Sequence, residues 1–394
     1  MKSIYLDNSN ARQICPESLQ ILQASLSNSW ANPHSLHSQA GEVLANLGKS
    51  YDMLYESLGL ANDDSLVFCS SNAEAINHVI YSALKDYGSH SDKCCFLSSS
   101  VEDSTIITAI AEAEAFGAKG NIVSANENGI VSAEALEEAI TEDCLLFSIS
   151  WANGISGVIQ PIEELAQVCK KHGVLLHVDL SHVLGNIYLD LGSIHAEFFS
   201  FEGNSFHGPQ STAGLVMRSG FELSPHIASN NEQGGLRGGK YSPALFYAMA
   251  EAAKQANYQL DYVCTETARL RMKLECELCK AIDGAEVLFA EEMRLPHCSC
   301  IRFPGVHQEL LLFYLNQEQI YPNSVCQSAS YLERLLLNCG KDPLAANETL
   351  QFSLSRFTSE EEVDICIDVI KRLVPQLRKY SEQIFQGRES LKAS

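Results

Sequence analysis

Asp179 ends the apolar run Val174-Leu175-Leu176-His177-Val178. A carboxylate at the end of a buried strand stands where open α/β sheets bind their ligands, in the crevice outside the strand ends. It can cap the segment that follows, or it can hold a cation, and the residue type alone leaves both open. Fourteen cysteines offer a second chemistry. Cys94 with Cys95, Cys276 with Cys279, and Cys298 with Cys300 have spacings that a metal could use. Zinc needs about four converging ligands. Cys276 and Cys279 also lie in an amphipathic helical pattern, where one apolar helix face explains their spacing without a metal.

The remaining composition narrows the partners. With 27 Lys and Arg against 49 Asp and Glu, the 394-residue chain carries a formal charge of -22. Such a surface repels nucleic acid and anionic membrane, so neither is expected as a partner. Hydrophobic residues at 46% and charged residues at 19% suit a globular protein with a sizeable core. Met1-Lys2-Ser3 leads directly into the strand-like Ile4-Tyr5-Leu6, and no run approaches the roughly 18 apolar residues a membrane span requires. A reducing cytoplasm, with the cysteines as thiols, is the expected compartment.

The elements that must position these groups alternate. Apolar runs at 65–69, 93–97, 145–149, 174–178, 198–201 and 213–217 read as strands, with helical patterns such as 162–171 between them. Near-continuous apolar strands alternating with helices predict a mostly parallel sheet covered on both faces. After about residue 240 the pattern changes. A long helix is expected over 243–281, then strands at 285–289, 300–303 and 350–354. Ser359 and Glu362 form a capping box that opens a final helix. The expected division is a large α/β domain over 16–255 and a smaller α+β domain over 256–394, joined by an N-terminal arm of residues 1–15.

Several stretches resemble the cysteine desulfurases of the class V aminotransferase group. They are Tyr5-Leu6-Asp7-Asn8, Asn32-Pro33-His34-Ser35-Leu36-His37-Ser38, Trp151-Ala152-Asn153 with Gly157, and His177-Val178-Asp179. Arg294-Leu295-Pro296 and the closing stretch from Phe352 to Glu362 continue the match in family order. The resemblance implies the fold type I architecture of pyridoxal-phosphate-dependent transferases. It also implies a homodimer and the cofactor pyridoxal phosphate. The family's activity takes sulfur from cysteine and carries it as a persulfide. A sulfur-acceptor or iron–sulfur scaffold protein is then the partner to expect. By the same resemblance Asp179 faces the pyridine nitrogen, and Asn153 and His182 stand near the ring oxygen. Cys326, among small polar residues, occupies the persulfide position. Lys240 stands where a partner subunit offers a phosphate contact.

The departures cluster at the same site. Ser205 occupies the position of the lysine that would form an imine with the cofactor. A hydroxyl cannot form an imine and is a poor base near pH 7. Glu202, Asn204 and Asp103 replace a small residue and two histidines, Ser71-Asn72-Ala73 replaces the phosphate loop, and Gln351 replaces the substrate-gripping arginine. A neutral amide cannot supply that charge-assisted pair. Two readings follow. In the first, a homologue has lost desulfuration and acts as a binding or regulatory partner, or as a persulfide carrier through Cys326. In the second, a desulfurase or other pyridoxal phosphate enzyme works through a rewired site, moving sulfur from L-cysteine to an acceptor by way of Cys326, with Lys240 or an unaligned lysine in place of Ser205.

Overall fold

The computed structural model describes residues 3–229, 232–323 and 329–392, the last segment with side chains from 331 to 380. Its strands are β1 (Ile4–Leu6), β2 (Ser65–Cys69), β3 (Cys95–Ser99), β4 (Lys119–Val123), β5 (Cys144–Ser150) and β6 (Leu175–Asp179). They continue with β7 (Phe198–Glu202), β8 (Ala213–Met217), β9 (Glu286–Val287), β10 (Cys298–Arg302), β11 (Ile320–Pro322) and β12 (Thr349–Ser353). Its longer helices are α1 (Pro16–Asn28), α2 (Ser38–Leu58), α3 (Asn72–Ala83), α4 (Ser104–Ala113), α5 (Ala133–Ala139), α6 (Ile162–His172), α7 (Pro243–Tyr258), α8 (Ala268–Ala281), α9 (Gln308–Gln317), α10 (Ala329–Asn338) and α11 (Glu360–Lys392).

Seven strands form the central sheet in the order β2-β8-β7-β6-β5-β3-β4. The pairs from β7 through β4 are parallel, and β8 runs antiparallel to both of its neighbours. The expected mostly parallel α/β sheet is therefore present. Alternate residues of each strand feed opposite faces, as the pleat requires. Phe96, Leu146, Phe198 and Leu215 pack with Ile76, Val79, Ile106 and Ile110 of α3 and α4 on one face. Phe147, Val178, Phe199 and Val216 pack with Leu165 of α6 and Phe246 of α7 on the other. Both faces are apolar, which explains the near-continuous hydrophobic runs in the sequence.

A second core joins Leu270 and Leu274 of α8, Ile301, Phe303, Phe352 and Ile367. It also takes in Ile4 and Leu6 of the arm, because β1 pairs in parallel with β11. Strands β12, β10 and β9 form the small antiparallel sheet beside it.

Two sequence expectations are corrected here. The helix expected over 243–281 breaks at Gln259, and a short turn and a wide π turn lead into α8. The break has a physical cause: α7 buries its alanine-rich face in the central core, whereas α8 buries leucines in the second core. One straight axis cannot serve both. The strand expected over 285–289 covers only Glu286–Val287, since Leu288 and Phe289 turn into a separate cluster with Leu332 and Leu336. The capping box at Ser359 and Glu362 forms as expected, with Ser359 N–H donating to Glu362 at 2.9 Å.

Candidate active site

Asp179 lies at the C-terminal end of β6, the central position of the sheet, and is buried. Its carboxylate is engaged by its own chain. Asn72 Nδ2 donates to Oδ2 at 2.9 Å, and the Ser181 N–H and Oγ donate to Oδ1 at 3.0 and 2.7 Å. Ser200 Oγ adds a longer contact of 3.3 Å. Burial raises the Asp179 pKa, against the lowering effect of these donors and of His182.

Asn72 is delivered by the start of α3. Ser71 caps that helix by accepting from the Glu74 N–H at 3.1 Å. Glu74 Oε2 folds back to accept from Ser70 N–H and Oγ at 2.8 and 2.5 Å, and Arg237 grips both of its oxygens. The first turn, where a helix N-terminus could take an anion, thus carries a carboxylate of its own.

Ser205 sits in the turn Gly203–Phe206 that follows β7. Its neighbour Asn204 clips the N-terminal arm, with Oδ1 accepting from Arg12 N–H at 3.1 Å and Nδ2 donating to Arg12 O at 3.0 Å. The Arg12 guanidinium then reaches Asn186 and His297 at 3.1 Å each. Burial, with repulsion from Arg356 second, lowers its pKa to about 9. At the end of β7, Glu202 is raised by burial first and then by the charges of Asp179 and Asp103. Glu202 therefore feels both other carboxyl groups on this side of the crevice.

A cavity of about 230 Å³ opens beside them, lined by Asp103, Gly154, His182, Asn323, Tyr331 and Gln351 among others. The His182 ring packs directly on Gly154, where a Cβ would meet its Nε2 at 2.4 Å. Gln351 is fully buried and committed to structure. Its Nε2 donates to Gly154 O at 2.7 Å and Ile155 O at 3.0 Å, and its Oε1 accepts from Asn323 at 2.7 Å. Asn153 is committed too. Its Nδ2 donates to Val101 O and to Tyr331 Oη at 2.9 and 3.0 Å, while Oδ1 accepts from Ile155 and Ser156 N–H. Asp103 caps α4 by accepting from Thr105 N–H at 2.8 Å. Behind it, Glu102 is buried among Ser99, Ser150 and the Asp103 N–H, and burial raises its pKa to about 7 despite those donors.

The structure thus brings Asp179, His182, Asn153 and Ser205 to one end of the sheet. It does not bring Lys240 there within one protomer: Lys240 lines a separate cavity with Trp30, His34 and Tyr241. Cys326 lies outside the described residues. Tyr331, Asn323 and Glu102 were missed as site residues by sequence reasoning. Tyr331 gave no signal, being one aromatic in an amphipathic helix, and its place depends on a contact to Val101 across 230 positions.

These side chains do not fit a Schiff-base-bound pyridoxal phosphate. No amine stands at 205, and Glu202, next to Asp179 and Asp103, adds a third acid to a crevice end where a phosphate ester would need donors or positive charge.

The aminotransferase class-V family model matches residues 4–366. The chain is 28% identical to the cysteine desulfurase NifS of Azotobacter vinelandii over 384 residues, covering 97% of this chain and 95% of that protein. It is 29% identical to cysteine desulfurase 2 of Trichormus variabilis, with the same coverage. Among solved structures, a NifS-like protein superposes with a TM-score of 0.89 at 25% identity, covering 95% of this chain and 100% of that one. A NifS-like protein from Rickettsia africae has the same fold, with a TM-score of 0.83 at 22% identity over 94% of this chain and 99% of that one.

Proposed function

Because the chain belongs to the class-V aminotransferase family and stands among its cysteine desulfurases, we propose that it is a desulfurase homologue that has given up pyridoxal-phosphate-dependent desulfuration and acts by binding. The observation that carries this is the Asn72–Asp179 hydrogen bond of 2.9 Å, beside a serine at position 205. The acid placed for a ring nitrogen is satisfied internally, and the residue placed for the imine cannot form one. Pyridoxal phosphate supplies an electron sink only when the substrate amine is joined to it, and nothing in the 203–206 turn can start that exchange. Gln351 points the same way: its amide secures the 154–155 backbone and offers no charge to a substrate carboxylate.

The role we propose is that of a regulatory or binding partner of sulfur-transfer proteins, or of a persulfide carrier through Cys326. The chain would work as a homodimer in a reducing cytoplasm. Support for the dimer comes from the apolar side chains Trp30, Leu26, Leu36 and Leu44, which are exposed around the end of α1 and the start of α2. Support for the compartment comes from the cysteines, all free thiols among the described residues, and among those residues no helix is long and apolar enough to cross a membrane. The division into domains at 255/256 belongs to the same proposal. The rewired-enzyme alternative needs Lys240 to enter the site from a second protomer, or an unaligned lysine to take the place of Ser205.

The test is sulfide release from L-cysteine in the presence of added pyridoxal phosphate. The expected result is no release above the protein-free control, for the natural chain and for Ser205→Lys alike. Release that depends on pyridoxal phosphate and is abolished by Cys326→Ala would establish the rewired enzyme instead.

A further inference from the structure

At the opposite, N-terminal edge of the central sheet, Cys95 opens β3 and Cys144 opens β5. The two strands are parallel neighbours, and these residues are direct partners across the ladder. The Asp143 main-chain carbonyl accepts from both the Cys94 and the Cys95 N–H, at 3.0 and 2.9 Å, and so ties the two strand starts together. The Sγ atoms of Cys95 and Cys144 and a carboxylate oxygen of Asp143 all lie within 4.8 Å of one another. We propose that these three residues bind one thiophilic divalent cation of the zinc class, with water as the fourth ligand.

The donor set selects the ion. Two sulfurs and one carboxylate suit zinc or cadmium, whereas magnesium and calcium take oxygen ligands. Hydrogen bonds to the ligands are already in place, as they are at established metal sites. Asn121 Nδ2 donates to Cys95 Sγ at 3.4 Å, and Thr141 N–H donates to Cys144 Sγ at 3.2 Å. Thr141 Oγ1 donates to Asp143 at 2.7 Å, and Lys119 Nζ lies 2.9 Å from the same carboxylate. The charge also closes. Two thiolates and a carboxylate exceed a divalent ion by one negative charge, and the Lys119 ammonium supplies the matching positive one.

Access is short. The sulfurs are covered, but the Asp143 side chain is 33% exposed, so the ligands lie just beneath the surface. A cysteine binds such an ion as its thiolate, so binding releases protons. The site lies at the other end of the sheet from Asp179, so its occupancy can be measured separately from any activity there.

The experiment uses the full-length, reduced, chelator-stripped protein titrated with Cd(II), read by thiolate-to-cadmium absorption, by ¹¹³Cd NMR and by competition with a chromophoric chelator. We expect one ion per protomer, a ¹¹³Cd signal of mixed sulfur and oxygen ligation, and proton release on binding. Asp143→Asn, at a partly exposed position that should not disturb folding, is expected to weaken binding by at least about tenfold. Lys119→Met, which removes an outer partner, is expected to weaken it by about tenfold, the lower end of the range for such changes. Replacing Cys276 and Cys279, which lie on a helix elsewhere, should leave the affinity unchanged. Binding that is indifferent to Asp143→Asn and lost with Cys276 and Cys279 would overturn the proposal. Absence of stoichiometric binding, or a Cys95–Cys144 disulfide that persists under reductant, would overturn it too.

Discussion

At the C-terminal end of the central sheet, Asp103, Asp179 and Glu202 crowd one crevice, and burial raises the pKa of Asp179 and of Glu202. Beside Cys95 and Cys144, at the N-terminal ends of β3 and β5, Asp143 is held below the usual carboxylate range by the Thr141 hydroxyl and the Lys119 ammonium. The same residue type therefore does opposite things at the two ends. In the crevice burial makes the ionisation of Asp179 and Glu202 a cost, and Asp179 is answered by neutral donors. At the other edge the acid is charged, close to the surface and next to two sulfurs. A site is made by what satisfies its groups: Asn72, Ser181 and Gln351 satisfy the crevice from within, whereas the outer edge keeps ligand atoms facing each other.

The strongest way to break this contrast is at Gln351. Gln351→Leu removes the donor to the Gly154 carbonyl and the acceptor of the Asn323 amide, while the Ile155 carbonyl keeps the Cys298 and Cys300 thiols. Each buried group that loses its partner costs about 1–3 kcal/mol, so a loss of about 2 kcal/mol or more is expected by denaturant titration. A near-neutral result would mean that the crevice is not wired for structure.

The next effect is on pH dependence. Glu102 has a folded pKa of about 7, raised from 4.5. Between those values the folded protein holds a proton that the unfolded chain has released. Stability contributed here is therefore full below about pH 4.5, falls as the pH rises to about 7, and is flat above it. The upper limit of the fall is about 3 kcal/mol, at 1.36 kcal/mol per pKa unit. Glu102→Gln should make the fall smaller whatever its absolute stability, with acids such as Asp7, raised to about 6, left to supply the rest, which unfolding measured across pH 4.5–8 will check.

Asn72→Ala sharpens the comparison further. It removes one neutral donor to a buried carboxylate, worth about 1–2 kcal/mol, while Ser71 still caps the helix. A loss as large as that of Gln351→Leu would mean that both walls of the crevice are equally structural. The smallest effect belongs to the other edge: Lys119→Met, at an exposed ion pair, should leave metal-free stability unchanged in thermal unfolding.

The framework could be read from the chain because its signals are local. The apolar run closed by Asp179, the alternating strands and helices, and the Ser359–Glu362 box each need only a few neighbouring residues. The contacts that decide the site are not local. Asn72 meets Asp179 across 107 positions, and Asn153 meets Tyr331 across 178. Sequence spacing pointed to Cys94 with Cys95, yet the partner of Cys95 is Cys144, which only the pairing of β3 with β5 brings near. The break at Gln259 was hidden for a related reason: the helical pattern continues through it, and the need to serve two cores does not appear in a local window.

We propose that this crevice cannot carry a covalently held cofactor. Incubating the full-length protein with pyridoxal phosphate, reducing with borohydride and mapping adducts by mass spectrometry tests it most directly. The expected result is no stable adduct on residues 200–210 and none that accumulates at Lys240, with no visible aldimine absorbance before reduction. A stoichiometric adduct at Lys240, accompanied by that absorbance and by sulfide release from L-cysteine, would contradict it.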